Sequence, residues 1–491
     1  MLHISTRGQT PPVHEANAIC MGLPLDGGLF APEKLPPMPE ELFCEARAYH
    51  DLAAKVLSLL FGRLGDLGEI TQSAYSRFSK DNPAPLVAEP DGAFTLELFH
   101  GPTRAFKDMA LQVLPGLMER ARLQSGQTKK ICILTATSGD TGKAALEAFA
   151  GRPGCAILVF FPQNGTSEVQ EKQMTTQEGA NVGVCALEGN FDDAQTGVKR
   201  LFTDTSFHLG MSSRGYMLSA ANSVNIGRLA PQVVYYVHAY ATLVDKGFIK
   251  AGDQINFCVP TGNFGNILAG LYAKHMGLPI GRLICASNRN RVLTDLLTTG
   301  RYSLNREFYT TYSPSMDILI SSNFERALFL LSGNDVELTT RLMTELRTKR
   351  SFEMSDALFA SFCEHFSAYT CNDEETLAEI GESFKSTGKM FDPHTAVARK
   401  CLRDYQRETG DTRLCVTLAT ADPYKFPETM LKALGRPSEE NGFAAMISLS
   451  EFTNTPIPAA LKSTMTKPVR FFNVTAPEMI REAAMEMVDC L

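Results

Sequence analysis

Short runs of apolar, often β-branched residues alternate along the chain with longer segments whose apolar positions recur at helical spacing. The runs that predict buried strands are FTLELF, ICILTAT, CAILVFF, NVGVCAL, INFCVP, LICAS and LCVTLAT, which begin at residues 94, 131, 155, 181, 255, 283 and 414. Continuously apolar strands separated by helices are typical of a parallel sheet that helices cover on both faces. The pattern therefore predicts an α/β fold.

The chain is long enough for several domains. Two proline-rich segments, at residues 32–42 and 79–93, precede the strand pattern. Between them, FCEARAYHDLAAKVLSLLFG has apolar positions at helical spacing. Charged helical sequence interrupts the strand pattern later in the chain. The predicted units are an N-terminal domain at residues 1–93, a catalytic region at 94–491, a smaller α/β subdomain at about 130–230, a helical insertion at about 289–395 and a last core strand at about 414–419.

Composition and charge limit the partners more than they limit the fold. Of the 491 residues, 44% are hydrophobic and 21% are charged, as in an ordinary globular protein. Forty-seven basic residues against 54 acidic ones give a net charge of −7, and no long basic block occurs. Nucleic acid and anionic membranes are therefore poor candidates for main partners, and an anionic ligand would need a local basic pocket.

Cysteine and histidine spacing gives no indication of a metal site. The 12 cysteines include no C-x-x-C pair, and the 9 histidines show neither H-x-H nor H-E-x-x-H spacing. This usage favours reduced, buried thiols. The first thirty residues have no basic segment followed by an apolar one, and no later apolar run is long enough to span a membrane. We therefore expect a cytoplasmic protein without a metal; the oligomeric state is not predicted.

The first predicted strand leads into HGPTRAFKD, which contains Lys107. Ligands of open α/β sheets bind at the carboxyl ends of strands, so this segment belongs to a candidate site. A helix start carries partial positive charge and Phe106 is an apolar neighbour, so the protonated form of Lys107 is disfavoured there. The neutral amine is a nucleophile suited to Schiff-base chemistry. The alternative is an ordinary lysine that reaches solvent or pairs with Asp108.

The second strand ends in TATSGDTGK, a turn that opens a helix with the residues Ser138, Gly139, Asp140, Thr141 and Gly142. Their hydroxyls and backbone N–H groups can bind a carboxylate or a phosphate, and the alternative is a simple helix cap. The turn is not a nucleotide-binding P-loop, because its two glycines are too close and Ala144 replaces the hydroxyl residue that binds magnesium. No G-x-G-x-x-G motif occurs there either, so a dinucleotide site is unsupported.

Two further strand ends add a loop and a hydroxyl. After INFCVP comes a loop that contains Gly262, Asn263, Phe264, Gly265 and Asn266. Its glycines let the backbone approach an anion and the helix start supplies donors, so we predict a cofactor-phosphate site; an ordinary tight turn is the alternative. The last strand ends at Thr420, whose hydroxyl can hydrogen-bond a heterocycle nitrogen. Together, the four strand ends match what pyridoxal 5′-phosphate requires.

In this order, the motifs closely resemble the long bacterial threonine synthases, a family within the fold type II (tryptophan-synthase β-like) pyridoxal-phosphate enzymes. The resemblance covers nearly the whole chain and rests on STRG, DGGLF, HGPTRAFKD, TATSGDTG, SEVQEKQMTTQEG, ANSVNIGRLAPQVVYY, PTGNFGN, SPSMDILISSNFER and TADPYKFPE. HGPTRAFKD combined with TSGDTG and GNFGN is specific, whereas STRG or DGGLF alone is weak. The resemblance implies mostly parallel sheets covered by helices.

The resemblance also implies a reaction, in which O-phospho-L-homoserine and water become L-threonine and phosphate. It implies that Lys107 binds the cofactor covalently and then moves protons at Cα and Cβ of the substrate. The other cofactor-binding residues it implies are Asp140, Gly262, Asn263, Phe264, Gly265, Asn266 and Thr420. The substrate-binding residues it implies are Ser138, Thr141, Asn222, Ser223 and Arg228. The planar fork of Arg228 can grip a phosphate, and the alternative is a surface arginine.

Two positions depart from the family pattern. The wider fold type II family usually has asparagine where Asp140 stands, and an ionised Asp140 near the cofactor's phenolate oxygen would be unfavourable, so its protonation is open. Asp422 replaces an expected histidine or serine; we interpret it as a turn residue before Pro423, with an altered pocket charge as the alternative. Two other functions remain open. One is a phospholyase that releases 2-oxobutyrate and ammonia, and the other is a non-catalytic binding protein, against which Lys107 and the glycine loop argue.

Overall fold

A computed structural model describes residues 1–137, 139–163, 165–437 and 440–491, apart from the side chains of Phe191 and Asp192. In these residues, sixteen strands and twenty-three α-helices follow one another along the chain. The strands are β1 Leu2–Ser5, β2 Val13–His14, β3 Phe30–Pro32, β4 Leu86–Ala88, β5 Phe94–Glu97, β6 Lys130–Ala136, β7 Cys155–Pro162, β8 Val182–Leu187, β9 Tyr216–Ser219, β10 Ile255–Pro260, β11 Ile280–Ser287, β12 Arg301–Ser303, β13 Ser351–Glu353, β14 Phe366–Thr370, β15 Cys415–Ala419 and β16 Val474–Thr475.

The helices surround these strands and differ widely in length. They are α1 Glu15–Met21, α2 Glu41–Cys44, α3 Tyr49–Leu60, α4 Gly68–Tyr75, α5 Asp108–Leu111, α6 Leu114–Gln124, α7 Asp140–Phe149, α8 Glu168–Thr175, α9 Phe191–Thr203, α10 Thr205–Ser213, α11 Ile226–Leu229, α12 Pro231–Asp245, α13 Gly265–His275, α14 Val292–Thr299, α15 Phe324–Leu331, α16 Val336–Lys349, α17 Asp356–His365, α18 Asp373–Thr387, α19 Pro393–Thr409, α20 Pro427–Ala433, α21 Gly442–Thr453, α22 Ala459–Thr466 and α23 Ile480–Asp489.

Two mostly parallel sheets form the body of the protein. The first has the order β14-β11-β10-β15-β5-β4, and only the β4–β5 pair in it is antiparallel. The second has the order β16-β8-β7-β6-β9 and is parallel throughout the described chain. The N-terminal strands form an antiparallel sheet in the order β2-β1-β3, and β12 pairs with β13. The predicted α/β architecture is therefore confirmed.

The predicted strand runs are all present, within a few residues of their expected ends. The pattern missed short or edge strands such as β9 and β14. Four of the five residues of β14 are only half-buried, so it lacks the continuous apolar character by which the other strands were found. Because β14 joins the first sheet, the segment at 289–395 contributes a strand as well as helices. The division into domains stays a prediction.

Helix α12 connects the N-terminal helices to the sheets. Its residues are buried on nearly every side, as expected for a helix that is apolar all round. It packs against α2 and α3 and also against α13. This packing fixes two adjacent tyrosines, Tyr235 and Tyr236, at the start of α13, where the glycine loop ends.

The described residues also show the state of the cysteines, the hydropathy of the helices and the arrangement of possible metal ligands. All 12 cysteines lie within the described residues and are free. Among the described residues, none of the helices combines the length and the hydropathy needed to cross a bilayer. In the same part of the chain, no group of three or more histidine, cysteine, aspartate and glutamate side chains is placed to hold a metal ion.

Candidate active site

A cavity of about 730 Å³ lies between the two large sheets, at the carboxyl ends of their strands. The loops after β5, β10 and β15 reach it from one sheet, and the loops after β6, β7 and β9 reach it from the other. Parallel strands bring their carboxyl ends to one edge, so loops distant in sequence meet there. The cavity is therefore where the fold assembles the strand-end motifs.

The cavity wall contains each predicted site residue that the structure describes. These are Lys107, Asp140, Thr141, Asn222, Ser223, Arg228, Gly262, Asn263, Phe264, Gly265, Asn266 and Thr420. Ser138, predicted to bind the substrate, lies outside the described residues. The wall also contains residues to which the sequence assigned no role, among them Gln163, Thr166, Gln232, Ser315, Asp317 and His394.

Lys107 immediately precedes α5 and is 9% exposed. Its Nζ donates to Ser315 Oγ at 3.3 Å and lies 3.5 Å from Asp140 Oδ2. Burial lowers the pKa of Lys107; the Asp140 charge opposes this, and the charges of Lys425 and Arg228 add to it. An amine with a lowered pKa is more often neutral and therefore more nucleophilic.

The alternative pairing of Lys107 with Asp108 is not what the structure shows. The Asp108 carboxylate instead accepts hydrogen bonds from the backbone N–H and the hydroxyl of Thr103, at 2.8 and 2.9 Å. Burial raises the pKa of Asp108 to about 6, against these hydrogen bonds. Asp108 thus closes the turn that carries Lys107 and leaves the amine free to face the cavity.

The Lys107 loop is fixed to the Thr420 loop. Phe106 N–H donates to the Thr420 carbonyl at 2.8 Å, and Arg104, whose φ is 60°, donates from Nε and Nη2 to Asp422 Oδ2 at 2.9 and 2.5 Å. Asp422 Oδ1 also accepts the N–H of Tyr424 at 2.9 Å. Asp422 is therefore the turn residue that its sequence position indicates, and it also holds two cavity loops together.

The turn after β6 requires glycine at two positions. Thr137 Oγ1 accepts the N–H groups of Gly139 and Gly142, at 3.0 and 2.8 Å. Gly139 has a φ of 138°, and a Cβ on it would lie 2.6 Å from the Gln170 side chain. A Cβ on Gly142 would lie 2.3 Å from the Thr137 methyl group. These contacts place the first residues of α7, Asp140 and Thr141, directly on the cavity.

Two lysines and an amide favour the ionised form of Asp140. Its Oδ1 lies 2.5 Å from Lys425 Nζ and accepts from Gln170 Nε2 at 2.9 Å. Burial raises the pKa of Asp140, but the charges of Lys425 and Lys107 outweigh this and hold it well below its usual range. Sequence reasoning missed Lys425 and Gln170, although both belong to quoted motifs, TADPYKFPE and SEVQEKQMTTQEG.

The glycine loop after β10 contains a strained residue and a crowded one. Phe264 is left-handed, with a φ of 63°, and its ring packs against Phe324 and Phe366 with centroids 5.5 Å away in each case. A Cβ on Gly262 would lie 2.5 Å from the Ser315 carbonyl oxygen. The loop is thus packed closely between an aromatic cluster and the segment at Ser315. Helix α13 begins at the end of this loop, beside the cavity.

Asn266, the last residue of the predicted phosphate loop, is oriented by two tyrosines. Its Oδ1 accepts hydrogen bonds from the hydroxyls of Tyr235 and Tyr236, at 2.6 and 3.0 Å. Within the described residues its Nδ2 has no partner, although it is buried. A buried donor without a partner is unfavourable, so Nδ2 is available to an acceptor in the cavity. Both tyrosines belong to the motif QVVYY, but nothing in the sequence indicates this role.

Arg228 is a buried cation on the cavity wall. It is 5% exposed, and its Nη1 donates to the Ala221 carbonyl at 2.8 Å. No carboxylate in the described chain forms an ion pair with it, and burial lowers its pKa to about 10. Nearby, Asn222 Oδ1 also lacks a partner among described residues. A desolvated guanidinium needs a counter-charge, and the cavity is where an anion would supply it.

Arg326 is fully buried and holds the backbone beside Arg228. It donates from Nε to the Phe30 carbonyl at 2.8 Å and from Nη2 to the Val224 carbonyl at 2.6 Å. Its neighbour Glu325 accepts hydrogen bonds from Thr6 and Arg7. Residues of the motifs STRG, DGGLF and NFER therefore contact one another. The sequence did not indicate this, because the motifs are far apart along the chain.

Ser315 is fixed by a histidine that the sequence did not single out. Its N–H donates to His394 Nε2 at 3.1 Å, and the other ring nitrogen, Nδ1, lies 2.7 Å from Asp392 Oδ1. Asp392 also caps α19 and holds Thr395, whose hydroxyl accepts the Thr420 N–H. Ser315 and Thr420 are thus positioned by the start of one helix.

Comparison with known proteins identifies the family. Models described as threonine synthase N terminus, pyridoxal-phosphate dependent enzyme, and threonine synthase, C-terminal match residues 2–75, 84–420 and 395–483. The threonine synthase of Pseudomonas aeruginosa is 39% identical over 438 residues, covering 88% of this chain and 90% of that protein. The human threonine synthase-like 1 is 40% identical over 437 residues, covering 85% of this chain and 58% of that protein.

A solved structure agrees with these matches. The crystal structure of pyridoxal-phosphate-bound threonine synthase from Brucella melitensis has a TM-score of 0.87 and 37% sequence identity, and the match covers 99% of both chains. The fold type II architecture and the pyridoxal 5′-phosphate cofactor predicted from the sequence are thereby confirmed. The chain belongs to the threonine synthase family of pyridoxal-phosphate-dependent enzymes.

Proposed function

We propose that this enzyme converts O-phospho-L-homoserine and water into L-threonine and phosphate. One observation carries the proposal: a buried amine, Lys107, and a buried guanidinium, Arg228, line the same cavity. Within the described residues Arg228 has no carboxylate partner, so a substrate phosphate would supply its missing counter-charge. A small phosphorylated amino acid fits both requirements.

The residues of the cavity suit pyridoxal 5′-phosphate. Lys107 would form the covalent link, and the loop of Gly262–Asn266 would hold the cofactor phosphate with N–H groups at the start of α13. The unpartnered Nδ2 of Asn266 is a further donor. Thr420 presents a neutral hydroxyl that would meet the ring nitrogen without requiring it to be protonated. Anchor, phosphate donors and ring contact thus all come from strand ends of one sheet.

When bound, the cofactor supplies an electron sink that stabilises negative charge on carbon atoms near the substrate's amino group. The protein supplies everything else. The Lys107 amine, once released, moves protons at Cα and Cβ, for which its lowered pKa suits it. Arg228 binds the phosphate until it leaves from Cγ. Thr141 and the N–H groups that open α7 bind the substrate carboxylate.

A phospholyase would use the same residues and differ only in the product. It would release phosphate together with 2-oxobutyrate and ammonia, because water does not add at Cβ. The products therefore have to be measured.

The experiment incubates the full-length holoenzyme with O-phospho-L-homoserine and measures phosphate, threonine and 2-oxobutyrate in one time course. We expect equal amounts of phosphate and threonine. Phosphate accompanied by 2-oxobutyrate would instead identify a phospholyase, and no phosphate release would contradict both activities.

Two controls separate the cavity from the rest of the protein. Lys107→Ala should abolish turnover and the visible absorbance of the covalently bound cofactor. Lys143→Met replaces another buried lysine, which pairs with Glu147 at 3.0 Å and does not line the cavity. This variant should keep the same product ratio. L-Homoserine, which lacks the phosphate that Arg228 would bind, should not be converted.

A further inference from the structure

Lys425 is a fully buried lysine in the short 3-10 turn Pro423–Lys425, behind the wall of the active-site cavity. Its Nζ lies 2.5 Å from Asp140 Oδ1 and donates to the Thr103 carbonyl at 3.1 Å. A buried ammonium is strongly unfavourable unless a carboxylate and hydrogen bonds compensate it. Lys425 has both a carboxylate partner and a hydrogen-bond acceptor, which a buried ammonium requires.

The Asp140 carboxylate lies between two lysines. Oδ1 contacts Lys425 and accepts from Gln170, while Oδ2 faces Lys107 at the longer distance of 3.5 Å. The carboxylate is thus shared unequally, with its short contact on the side away from the cavity. The two charged groups stand at the ends of their elements: Asp140 begins α7 and Lys425 ends the 3-10 turn.

Other charges near the Lys107 amine do not change this arrangement. Arg228 is a cation on the same wall, and Asp108 is occupied by Thr103. His394 lies beyond Ser315, whose N–H donates to its Nε2. Among the described residues, Asp140 is therefore the anion nearest to Lys107, and Lys425 is its principal counter-ion.

A carboxylate next to the Lys107 nitrogen favours the protonated form of that nitrogen, which is neither a nucleophile nor a base. A second cation that pairs with the carboxylate cancels most of this effect, because the pair then acts as a nearly neutral dipole. We propose that Lys425 is a positioning residue for catalysis: by pairing with Asp140 it keeps this carboxylate in place without letting it trap Lys107 as an ammonium ion.

The inference rests on Lys107 being the cofactor-binding lysine of the proposed function. The direction of the charge effects supports it, since the charges of Lys425 and Arg228 lower the pKa of Lys107 and that of Asp140 raises it. The alternative is that Lys425 is a structural ion pair that merely joins two loops. A structural role would change stability, whereas the proposed role changes the protonation of the Lys107 nitrogen.

The test is a pH titration of the visible absorbance of the holoenzyme, which reports protonation of the nitrogen that links Lys107 to the cofactor. Lys425→Met should move the midpoint to higher pH by about one unit or more, since one unit corresponds to a tenfold change in proton affinity. Asp140→Asn should move it to lower pH. The double variant should return towards the wild-type midpoint, and Lys425→Arg should stay near it.

Lys143→Met is the matched control, because Lys143 is also buried and paired, with Glu147 on the helix that Asp140 begins. Its midpoint should equal that of the wild type. Unchanged midpoints in both Lys425→Met and Asp140→Asn, or shifts in the same direction, would overturn the proposal. If Lys425→Met does not fold, Asp140→Asn and Lys425→Arg still test the proposal. A midpoint shift in Lys425→Arg as large as the shift in Asp140→Asn would contradict it.

The same titration separates this inference from the proposed function. If Lys107→Ala retains the visible band, the assignment of Lys107 fails and the titration does not concern it. If the band requires Lys107 but its midpoint ignores Lys425 and Asp140, only the inference fails. Thermal unfolding of each variant, measured alongside, identifies changes that are purely structural.

Discussion

Glu325 accepts a two-pronged hydrogen bond from Arg7, with Nε 3.0 Å from Oε1 and Nη2 2.9 Å from Oε2. Thr6 donates to the same carboxylate at 2.6 Å. The next residue, Arg326, joins the Phe30 carbonyl to the Val224 carbonyl beside the cavity. The first thirty residues of the chain are therefore attached to the loop that would bind the substrate phosphate.

Glu325→Gln should loosen this attachment. The neutral amide cannot accept both guanidinium hydrogen bonds, and hydrogen bonds to charged groups contribute about 1.5–3 kcal/mol when well buried. Because Arg7 is partly exposed, we expect a loss of about 1–2 kcal/mol in unfolding free energy. The KM for O-phospho-L-homoserine should also rise. Urea unfolding and steady-state kinetics measure the two effects, and Glu353→Gln, an exposed carboxylate, should change neither.

Arg228→Gln should lower kcat/KM for O-phospho-L-homoserine by about a hundredfold, because it removes charge-assisted hydrogen bonds to the phosphate. Arg228→Lys keeps the charge but loses the fork, so its loss should be smaller. The unliganded glutamine variant should be no less stable than the wild type, since it removes an unpaired buried cation. An unchanged KM would show that Arg228 does not bind the phosphate.

Gly262→Ala should weaken cofactor binding by about tenfold or more, because the new methyl group would lie 2.5 Å from the Ser315 carbonyl and one of the two segments must move. Dialysis against buffers of decreasing cofactor concentration, followed by absorbance, measures the change. Gly62→Ala is the control: a Cβ there meets nothing within 4 Å. Equal cofactor affinity in the two variants would contradict the assigned phosphate loop.

Buried histidines should make the protein sensitive to acid. Burial lowers the pKa of both His3 and His238 from 6.5 to about 4. Their stabilising contribution is therefore complete above the unfolded-state value of 6.5 and is lost as the pH falls from there to about 4. Protonation of each of these two histidines should lower the unfolding free energy by about 2 kcal/mol between about pH 7.5 and about pH 5.

The acid effect is checked by urea unfolding at both pH values. His238→Phe should lose less stability on acidification than the wild type, by about the contribution of one histidine. The exposed His208 offers a control, since His208→Phe should retain the full acid loss. Equal acid loss in the His238 variant and the wild type would show that His238 is not the group responsible.

The sequence allowed the parts of the site to be predicted where residue type and strand end coincide. Lys107, the glycine loop and Thr420 each follow an apolar run, and the rule that parallel strands deliver ligands to one edge was enough to group them. The α/β class followed from the same runs. These apolar runs can be recognised without knowing which residues distant in sequence are in contact.

Other parts of the site could not be predicted, because they depend on which distant residues meet. Lysine usually lies on the surface, so the sequence does not indicate that Lys425 is buried. Only the approach of its turn to α7 makes it a buried partner of Asp140. Tyr235 and Tyr236 could occur in any apolar helix. Only the packing of α13 places Asn266 beside their hydroxyls. His394 resembles an ordinary helix-start residue, and its contact with Ser315 spans 79 residues.

Three consecutive residues at the start of α15 serve three different segments: Phe324 packs on the glycine loop, Glu325 holds the N-terminal residues and Arg326 holds the loop beside Arg228. Successive helical residues point about 100° apart, so these contacts depend on the rotational phase of one helix. Inserting or deleting a single residue before Phe324 would turn all three side chains away together. The length of the chain leading into α15 is thus constrained more tightly than the identity of any one residue in it, and alignments of relatives should show substitutions here far more often than gaps.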